Sequence, residues 1–198
     1  VIRKGPSPPW HPLPGPLLIG LLALVGWIGA PVPAHAEDDF AQFARDAFAP
    51  RRIALLVGVD EVDDRSFEPL LYAGRDVERL AAALSDPLVG GFDAVETLDG
   101  VTLEEAHAAL SGLMRTVRRQ DTVLVYFSGH GLAADDEDGS ARLFLALGAS
   151  SRGTIEDSGL ALHRIQEVLA ALPARKQVLL VDACFTGEGK LSAVRAGA

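Results

Sequence analysis

Two apolar segments of the chain each lead into a residue that can do covalent chemistry. Cys184, the only cysteine, follows the apolar run VLLV at residues 178–181, and His130 follows the run VLVYF at residues 123–127. Continuous apolar runs that contain β-branched valine predict strands buried on both faces. If both strands end at the same edge of a sheet, a thiol and an imidazole meet there. We therefore predict a Cys/His nucleophilic site.

The thiol and the imidazole have complementary roles in cleaving an acyl bond. The imidazole of His130 can take the proton of the Cys184 thiol, so that a thiolate attacks a carbonyl, and it can later protonate the leaving amine. The oxyanion formed on the way needs hydrogen-bond donors, which backbone N–H groups supply. The predicted donors are the N–H of Cys184 and that of Gly131, since glycine lets the backbone approach a substrate closely.

The segments around these two residues alternate between strand and helix patterns. Short apolar runs predict strands, and apolar residues that recur every three or four positions predict helices. The predicted strands are Ile53–Val59, Phe92–Leu98, Val123–Phe127 and Lys176–Asp182, and the predicted helices are Gly74–Leu84, Thr102–Val117 and Leu160–Leu172. This alternation predicts an α/β fold with a parallel sheet, right-handed crossovers and helices on both faces.

The remaining segments predict loops and caps. Acid-rich loops are predicted at residues 60–69 and 133–140, and a short hairpin at residues 141–147. Thr102 and Glu105 form the capping-box pattern at the start of a helix. Because sites of open parallel sheets form beyond the carboxyl ends of the strands, we expect the histidine and the cysteine to share one cleft.

The N-terminal residues have the pattern of a secretory signal peptide. A basic start precedes an uncharged apolar run at residues 17–30 and the cleavage pattern AHA at residues 34–36. We divide the chain into a signal peptide (1–36), a lead-in segment (37–50) and a catalytic domain (51–198). The apolar run is shorter than the roughly 20 residues that span a bilayer. We expect an exported protein, periplasmic or secreted, without stable membrane insertion after cleavage; an uncleaved N-terminal anchor is the alternative.

Composition and charge narrow the class of partner. The 198-residue chain is 48% hydrophobic and has a formal net charge of −9. This composition is typical of a globular domain, and the negative charge repels phosphate backbones, so we predict no nucleic-acid partner. In an exported chain, a single cysteine is either an intermolecular link or a free reactive thiol, and its position after a strand favours the reactive thiol.

In combination, these motifs resemble the caspase-like cysteine peptidases, and in particular the bacterial metacaspases. The resemblance is carried by the strand IALLVGV, the helix motif YAGRDVERL, YFSGHG with His130 and DACFTG with Cys184. The histidine lies about 50 residues before the cysteine, as in caspases. The resemblance runs from about Arg51 to Gly187. The chain has DACFT in place of the QACRG of animal caspases, which favours the prokaryotic branch.

The resemblance implies a three-layer caspase-like fold and the hydrolysis of peptide bonds in a peptide or protein substrate. Two further strands follow the cysteine strand in the family. Only eleven residues follow Gly187 in this sequence, so it is expected to lack those last two strands. His130 would match the family's general acid/base and Cys184 its nucleophile. The oligomeric state stays open.

Metacaspases cut after Arg or Lys, and such selectivity requires an acidic pocket. Asp182 matches the aspartate that lines this pocket in metacaspases, and Asp76 in the GRDV motif is a second candidate. Other roles stay open for both residues. Asp76 could complement the dipole of a first helical turn, and Asp182 could be a hydrogen-bonding group at a strand end.

Several metacaspases need calcium, and four consecutive acids could supply oxygen ligands. These are Asp135, Asp136, Glu137 and Asp138. They lack the alternating spacing of a known calcium loop, so a solvated loop is favoured. We predict no metal site and no cofactor, and leave calcium open.

Two other functions remain as alternatives. A caspase-like module without activity could bind a partner through the sheet edge, because a sheet that ends on the cysteine strand exposes apolar residues. A different cysteine hydrolase on an α/β sheet is disfavoured, since the chain has no G-x-C-x-G or G-x-S-x-G elbow.

Overall fold

The computed structural model describes residues 39–44, 48–135 and 141–186. The chain divides into two compact units between residues 47 and 48. Residues 39–44 of the first unit are helical, and the predicted signal peptide lies outside the described residues. Among the residues that the structure describes, no helix combines the length and apolar character that a membrane span requires. All elements named below belong to the second unit.

The second unit alternates strands and helices, as predicted. In chain order its elements are β1 (Arg52–Gly58), α1 (Ala73–Ser85), β2 (Ala94–Asp99), α2 (Leu103–Thr116), β3 (Thr122–Ser128), β4 (Gly131–Asp135), β5 (Ala141–Leu145), a 3₁₀ turn (Arg152–Thr154), α3 (Ile155–Ser158), β6 (Leu160–Ala161), α4 (Leu162–Ala171), β7 (Lys176–Asp182) and β8 (Phe185–Thr186). Four strands form a parallel sheet in the order β2-β1-β3-β7. The predicted bounds of its strands and of α1, α2 and α4 agree to within about two residues, the usual scatter of such bounds.

Helices cover both faces of the parallel sheet, which confirms the predicted α/β class. Side chains alternate between the faces along each strand. Leu55 and Val125 belong to the core on the side of α2 and α4. Leu56 and Tyr126 belong to the core on the side of α1. The predicted capping box at the start of α2 is also confirmed, because Thr102 and Glu105 bond each other's backbone N–H groups.

A buried carboxylate joins three strands at the end of the sheet where they begin. The side chain of Asp121 is fully buried and forms a 2.6 Å ion pair with Arg51, the residue before β1. It also accepts the N–H of Arg118 at 2.8 Å. The backbone carbonyl of Asp121 accepts the N–H of Arg175, which precedes β7, at 2.9 Å. The starts of β1, β3 and β7 are thereby held in register.

The prediction that the strand before Cys184 is buried on both faces is wrong. Leu179 and Val181 pack against the core, but Val178 and Leu180 are 48% and 50% exposed. In the described part of the chain β7 is the outermost strand of its sheet, and α1 lies over β1, β2 and β3. Apolar composition alone cannot distinguish such an edge strand from a central strand such as β3, which is buried as predicted.

A second, smaller sheet corrects the loop predicted at residues 133–140. Residues 133–135 belong to β4, which pairs antiparallel with β5 and parallel with β8; residues 136–140 lie outside the described residues. The hairpin predicted within residues 141–147 is instead formed by β4 and β5. β6, which was predicted as the first turn of a helix, pairs with β5. Burial of Leu132 and Phe144 in a second hydrophobic cluster stabilises this arrangement.

Candidate active site

The register of two parallel strands brings the histidine and cysteine segments to one end of the sheet. Ser128 on β3 pairs with Asp182 on β7, and the N–H of Gly129 donates to the carbonyl of Asp182 at 3.2 Å. His130 and Cys184 each follow two residues after this pair. As expected, the two segments leave the sheet side by side.

A cavity of about 410 Å³ lies at this end of the sheet. Three segments contribute to its lining: residues 70–73 with Asp76, residues 128–130, and residues 182–184. Cys184 is exposed and its thiol is free, whereas His130 is half-buried. As expected from the sequence, both residues line this one cavity.

The imidazole of His130 is held by a backbone carbonyl. Its Nε2 atom lies 2.7 Å from the carbonyl oxygen of Glu68. A carbonyl oxygen only accepts hydrogen bonds, so the proton of this bond is on Nε2. In the neutral ring, Nδ1 is then the nitrogen with a free lone pair, and it is the atom able to accept a thiol proton. Sequence reasoning missed Glu68, because a backbone acceptor leaves no signal in residue type.

The acid-rich loop that follows β1 positions the start of α1 as well. Both carboxylate oxygens of Asp60 accept N–H groups of the first helical turn, from Ala73 at 2.8 Å and from Gly74 at 3.2 Å. The N-cap residue itself, Tyr72, provides no side-chain cap. Asp60 therefore accepts two of the N–H groups that have no partner within α1, from outside the helix, and fixes the turn that carries Asp76. Because Asp60 lies 13 residues before Ala73 in the sequence, local capping patterns do not reveal this role.

The two predicted pocket carboxylates both line the cavity. Asp182 is exposed and Asp76 is half-buried. Among the described residues, neither side chain has an ion-pair or hydrogen-bond partner. Asp76 lies in the first turn of α1, so its carboxylate also complements the helix dipole. The backbone carbonyl of Asp182 accepts the N–H of Gly129, whereas no described residue forms a hydrogen bond with its carboxylate.

Gly131, the first predicted oxyanion donor, lies beside the cavity. It is buried at the start of β4, paired with Phe185 of β8. A Cβ atom at Gly131 would approach the ring of Phe185 to 2.7 Å, which no ordinary contact allows. The described lining of the cavity includes Gly129 and Cys184 and does not include Gly131. Four of the predicted site residues thus line the cavity, whereas the fifth, Gly131, follows His130 in the chain and does not line it.

No metal-binding cluster is present in the parts of the chain that the structure describes. Nowhere within residues 39–44, 48–135 and 141–186 do three or more His, Cys, Asp or Glu side chains come together in a way that could hold an ion. Of the four consecutive acids considered above as calcium ligands, Asp136, Glu137 and Asp138 lie outside those ranges.

Comparison with known families decides what kind of domain this is. Residues 51–196 match the family model described as the caspase domain. The chain belongs to the caspase domain family. The resemblance inferred from the four sequence motifs is therefore confirmed, and the matched region begins at the predicted start of the catalytic domain.

Relatives of this caspase domain agree with the assignment. It is 25% identical over 207 residues to metacaspase-1 of Ajellomyces capsulatus (strain NAm1 / WU24), covering 93% of this chain and 57% of that protein. Its fold is similar to that of protein GSU0716 from Geobacter sulfurreducens, with a TM-score of 0.55, 21% identity, and coverage of 71% of this chain and 52% of that chain. It is also similar to caspase-1 from Spodoptera frugiperda, with a TM-score of 0.53, 16% identity, and coverage of 74% and 53%. The chain spans just over half the length of each of these proteins.

Proposed function

We propose that this caspase domain hydrolyses peptide bonds as a cysteine endopeptidase with Cys184 as nucleophile and His130 as general base and acid. The observation that carries the proposal is the position of both residues in one cavity lining, with Nε2 of the histidine engaged by the Glu68 carbonyl. Nδ1, the other ring nitrogen, is the one that takes the thiol proton in the proposed reaction. Membership of the caspase domain family supports the same reaction class.

The proposed reaction begins with a proton transfer. Nδ1 of neutral His130 takes the proton of the Cys184 thiol, and the thiolate sulfur attacks the carbonyl carbon of the scissile amide. The resulting oxyanion accepts a hydrogen bond from the N–H group of Cys184, and the N–H group of Gly131, next to His130 but outside the cavity lining, is the second proposed donor. The imidazolium then donates its Nδ1 proton to the leaving amine as the C–N bond breaks, which leaves a thioester on the cysteine.

Water completes the cycle. His130, neutral again, takes a proton from a water molecule that attacks the thioester carbonyl, and the sulfur leaves as thiolate and recovers the proton. In both halves of the cycle, acylation and hydrolysis of the thioester, the Glu68 carbonyl stabilises the imidazolium because it accepts a hydrogen bond from Nε2–H while the ring is charged.

We propose that the substrate residue before the scissile bond is Arg or Lys. Asp182 and Asp76 both line the cavity that contains the nucleophile, and neither carboxylate has a cationic partner among the described residues. A guanidinium or ammonium group in the cavity would satisfy one or both carboxylates, whereas an acidic side chain would be repelled. We further propose that the protein is exported and needs no cofactor. Whether calcium affects cleavage is tested in the assay described below.

A second candidate function is a caspase-like module that binds a partner without catalysis. The observation that favours it is the exposure of Val178 and Leu180 on β7, since an uncovered strand with apolar side chains can pair with another chain. In this case the cavity residues would be dispensable for the biological activity, and substitutions at Val178 and Leu180 would abolish it.

The experiment that tests the proposal uses the full-length protein that contains this chain. Peptide amides with Arg, Lys, Asp or Leu before the scissile bond are assayed with and without calcium. We expect Arg and Lys peptides to be cleaved roughly 10- to 100-fold faster than the others, the range that one charge-assisted interaction supplies. Cys184→Ala and His130→Ala should remove activity, whereas the control His107→Ala, an exposed histidine on α2, should retain it. Activity that survives the first two changes, or no cleavage of any peptide, rejects the proposal.

A further inference from the structure

Phe67, a residue of the acid-rich loop at residues 60–69, forms an aromatic pair with the imidazole of His130. It is only 4% exposed and belongs to the hydrophobic cluster that includes Leu132 and Phe144 of the second sheet. Its ring centroid lies 5.4 Å from that of His130, with the two ring planes tilted by 47°. This centroid distance lies within the 4.5–7 Å range of favourable aromatic pairs.

The next residue of the same loop supplies the hydrogen bond to His130. Phe67 provides the ring contact, and the backbone carbonyl of Glu68 accepts the hydrogen bond from Nε2–H of His130. A single hydrogen bond fixes the position of one nitrogen but leaves the ring free to swing about it. A second contact with the ring restricts that motion, so the two consecutive residues together hold the imidazole in one orientation.

The loop that carries Phe67 is itself anchored. The carboxylate of Asp64 accepts the N–H of Ser66 at 2.9 Å, the N–H of Arg152 at 2.8 Å and the hydroxyl of Ser151 at 3.1 Å. The backbone N–H groups of Ser66 and Arg152, followed by hydroxyl hydrogen bonds, hold the pKa of Asp64 well below its usual range, so this anchor is charged at neutral pH. The guanidinium of Arg152 lies 4.6 Å from the centre of the Phe67 ring, a cation–π contact.

We infer that Phe67 is a positioning residue for the proposed peptidase reaction. Its ring holds the imidazole of His130 so that Nε2 stays on the Glu68 carbonyl and Nδ1 stays available to Cys184. The inference rests on the proposed function for its catalytic consequence. The orientation of the ring, however, can be measured without any turnover.

The test compares Phe67→Leu with Phe144→Leu in the full-length protein. Both substitutions replace a buried ring in the same hydrophobic cluster, but among the described residues the ring paired with His130 is that of Phe67. Thermal unfolding measures the loss of stability in each variant. Steady-state kinetics on an Arg peptide then separate kcat from KM.

We expect Phe67→Leu to lower kcat by roughly 10- to 100-fold with KM changed less than about twofold, because misplacing a catalytic group costs rate more than binding. Phe144→Leu should keep kcat within about threefold at a comparable loss of stability. Equal losses of kcat in both variants would indicate a merely structural role and overturn the inference, as would an unchanged kcat in Phe67→Leu.

A second readout keeps the inference separate from the proposed function. Histidine ring ¹⁵N shifts are recorded in the Cys184→Ala background, with His130→Gln used to assign the signal. We expect His130 to be an Nε2–H tautomer in the parent and in Phe144→Leu, and to become a mixture of tautomers in Phe67→Leu. A mixture in the parent, or an unchanged signal in Phe67→Leu, overturns the positioning role. If the parent cleaves no peptide but shows this pattern, the peptidase proposal fails and the positioning of the ring stands.

Discussion

Ser128 and Asp182 occupy paired positions on the neighbouring parallel strands β3 and β7. Neighbouring strands lie about 4.8 Å apart. Because the chain continues by the same number of residues after each member of the pair, His130 and Cys184 arrive at one cavity without any long connecting loop. The candidate site is thus a consequence of strand register, and the surrounding loops refine the orientation of its groups.

The two cavity carboxylates give the first prediction. Asp182→Asn and Asp76→Asn keep side-chain size but remove negative charge, so each should lower kcat/KM for Arg peptides by about 10- to 100-fold, as expected for the loss of a charge-assisted hydrogen bond. Cleavage of a Leu peptide should change much less. Asp157→Asn, at an exposed acid of α3, is the matched control and should leave both values unchanged. If both cavity variants keep the full preference for Arg over Leu, these carboxylates do not select the substrate.

Close packing between Gly131 and Phe185 gives the second prediction. A methyl group at Gly131 would meet the Phe185 ring, so Gly131→Ala should lower the free energy of unfolding by ~1–3 kcal/mol, as overpacking usually does. It should also lower activity, because the displaced ring belongs to the residue after Cys184. Adding Phe185→Leu should restore part of the stability. Chemical denaturation of the single and double variants measures this.

Gly112→Ala is the control for this substitution. Gly112 lies in α2, and its nearest neighbour to an added Cβ is the Arg115 side chain at 3.8 Å. Alanine is a better helix former than glycine, so this variant should be as stable as the parent or more stable. A Gly131→Ala variant that is as stable as the parent would contradict the described packing. So would a double variant in which Phe185→Leu restores no stability.

The buried carboxylate of Asp121 gives the third prediction, which concerns pH. Burial alone would raise the pKa of Asp121, but hydrogen bonds from the Arg51 side chain and from the N–H groups of Arg118 and Arg51 lower it below its usual value. The unfolded chain therefore binds this proton more readily than the folded one. The stabilisation is fully present above the unfolded pKa of about 4 and is lost as pH falls through the folded-state pKa.

Asp121→Ala should consequently lower the free energy of unfolding by about 3 kcal/mol at pH 7, since it removes the buried carboxylate that forms an ion pair with Arg51. The difference in the free energy of unfolding between Asp121→Ala and the parent should be the same at pH 5 as at pH 7 and should shrink below pH 4. Urea unfolding at pH 7, 5 and 3.5 measures it. A difference that stays constant or grows towards low pH would show that the carboxylate charge does not contribute in the manner described.

Local patterns in the sequence account for most of the parallel sheet and its helices. Apolar periodicity placed α1, α2 and α4, and the capping box located the start of α2. The motifs around His130 and Cys184 also identified the end of the sheet where the cavity forms. These features depend on residues that are close in sequence, which is why they could be predicted.

Features that depend on distant neighbours could not be predicted. The apolar pattern of β7 is that of a central strand, and only the absence of a described strand beyond it exposes Val178 and Leu180. The anchoring of His130 depends on the backbone of Glu68, and the cap of α1 comes from Asp60, well outside the helix. β4 is a strand because its neighbours β5 and β8 pair with it, although its own residues resemble a loop.

A double-mutant cycle on Cys184 and His130 tests the central claim most directly. The kcat/KM for an Arg peptide is measured in the full-length protein and in Cys184→Ala, His130→Ala and the double variant. If the thiol and the imidazole act as one unit, each single change should cost at least about 10³-fold, and the double change should cost no more than the larger single loss. Losses that multiply in the double variant, or a single variant that keeps near-parental activity, would contradict the account.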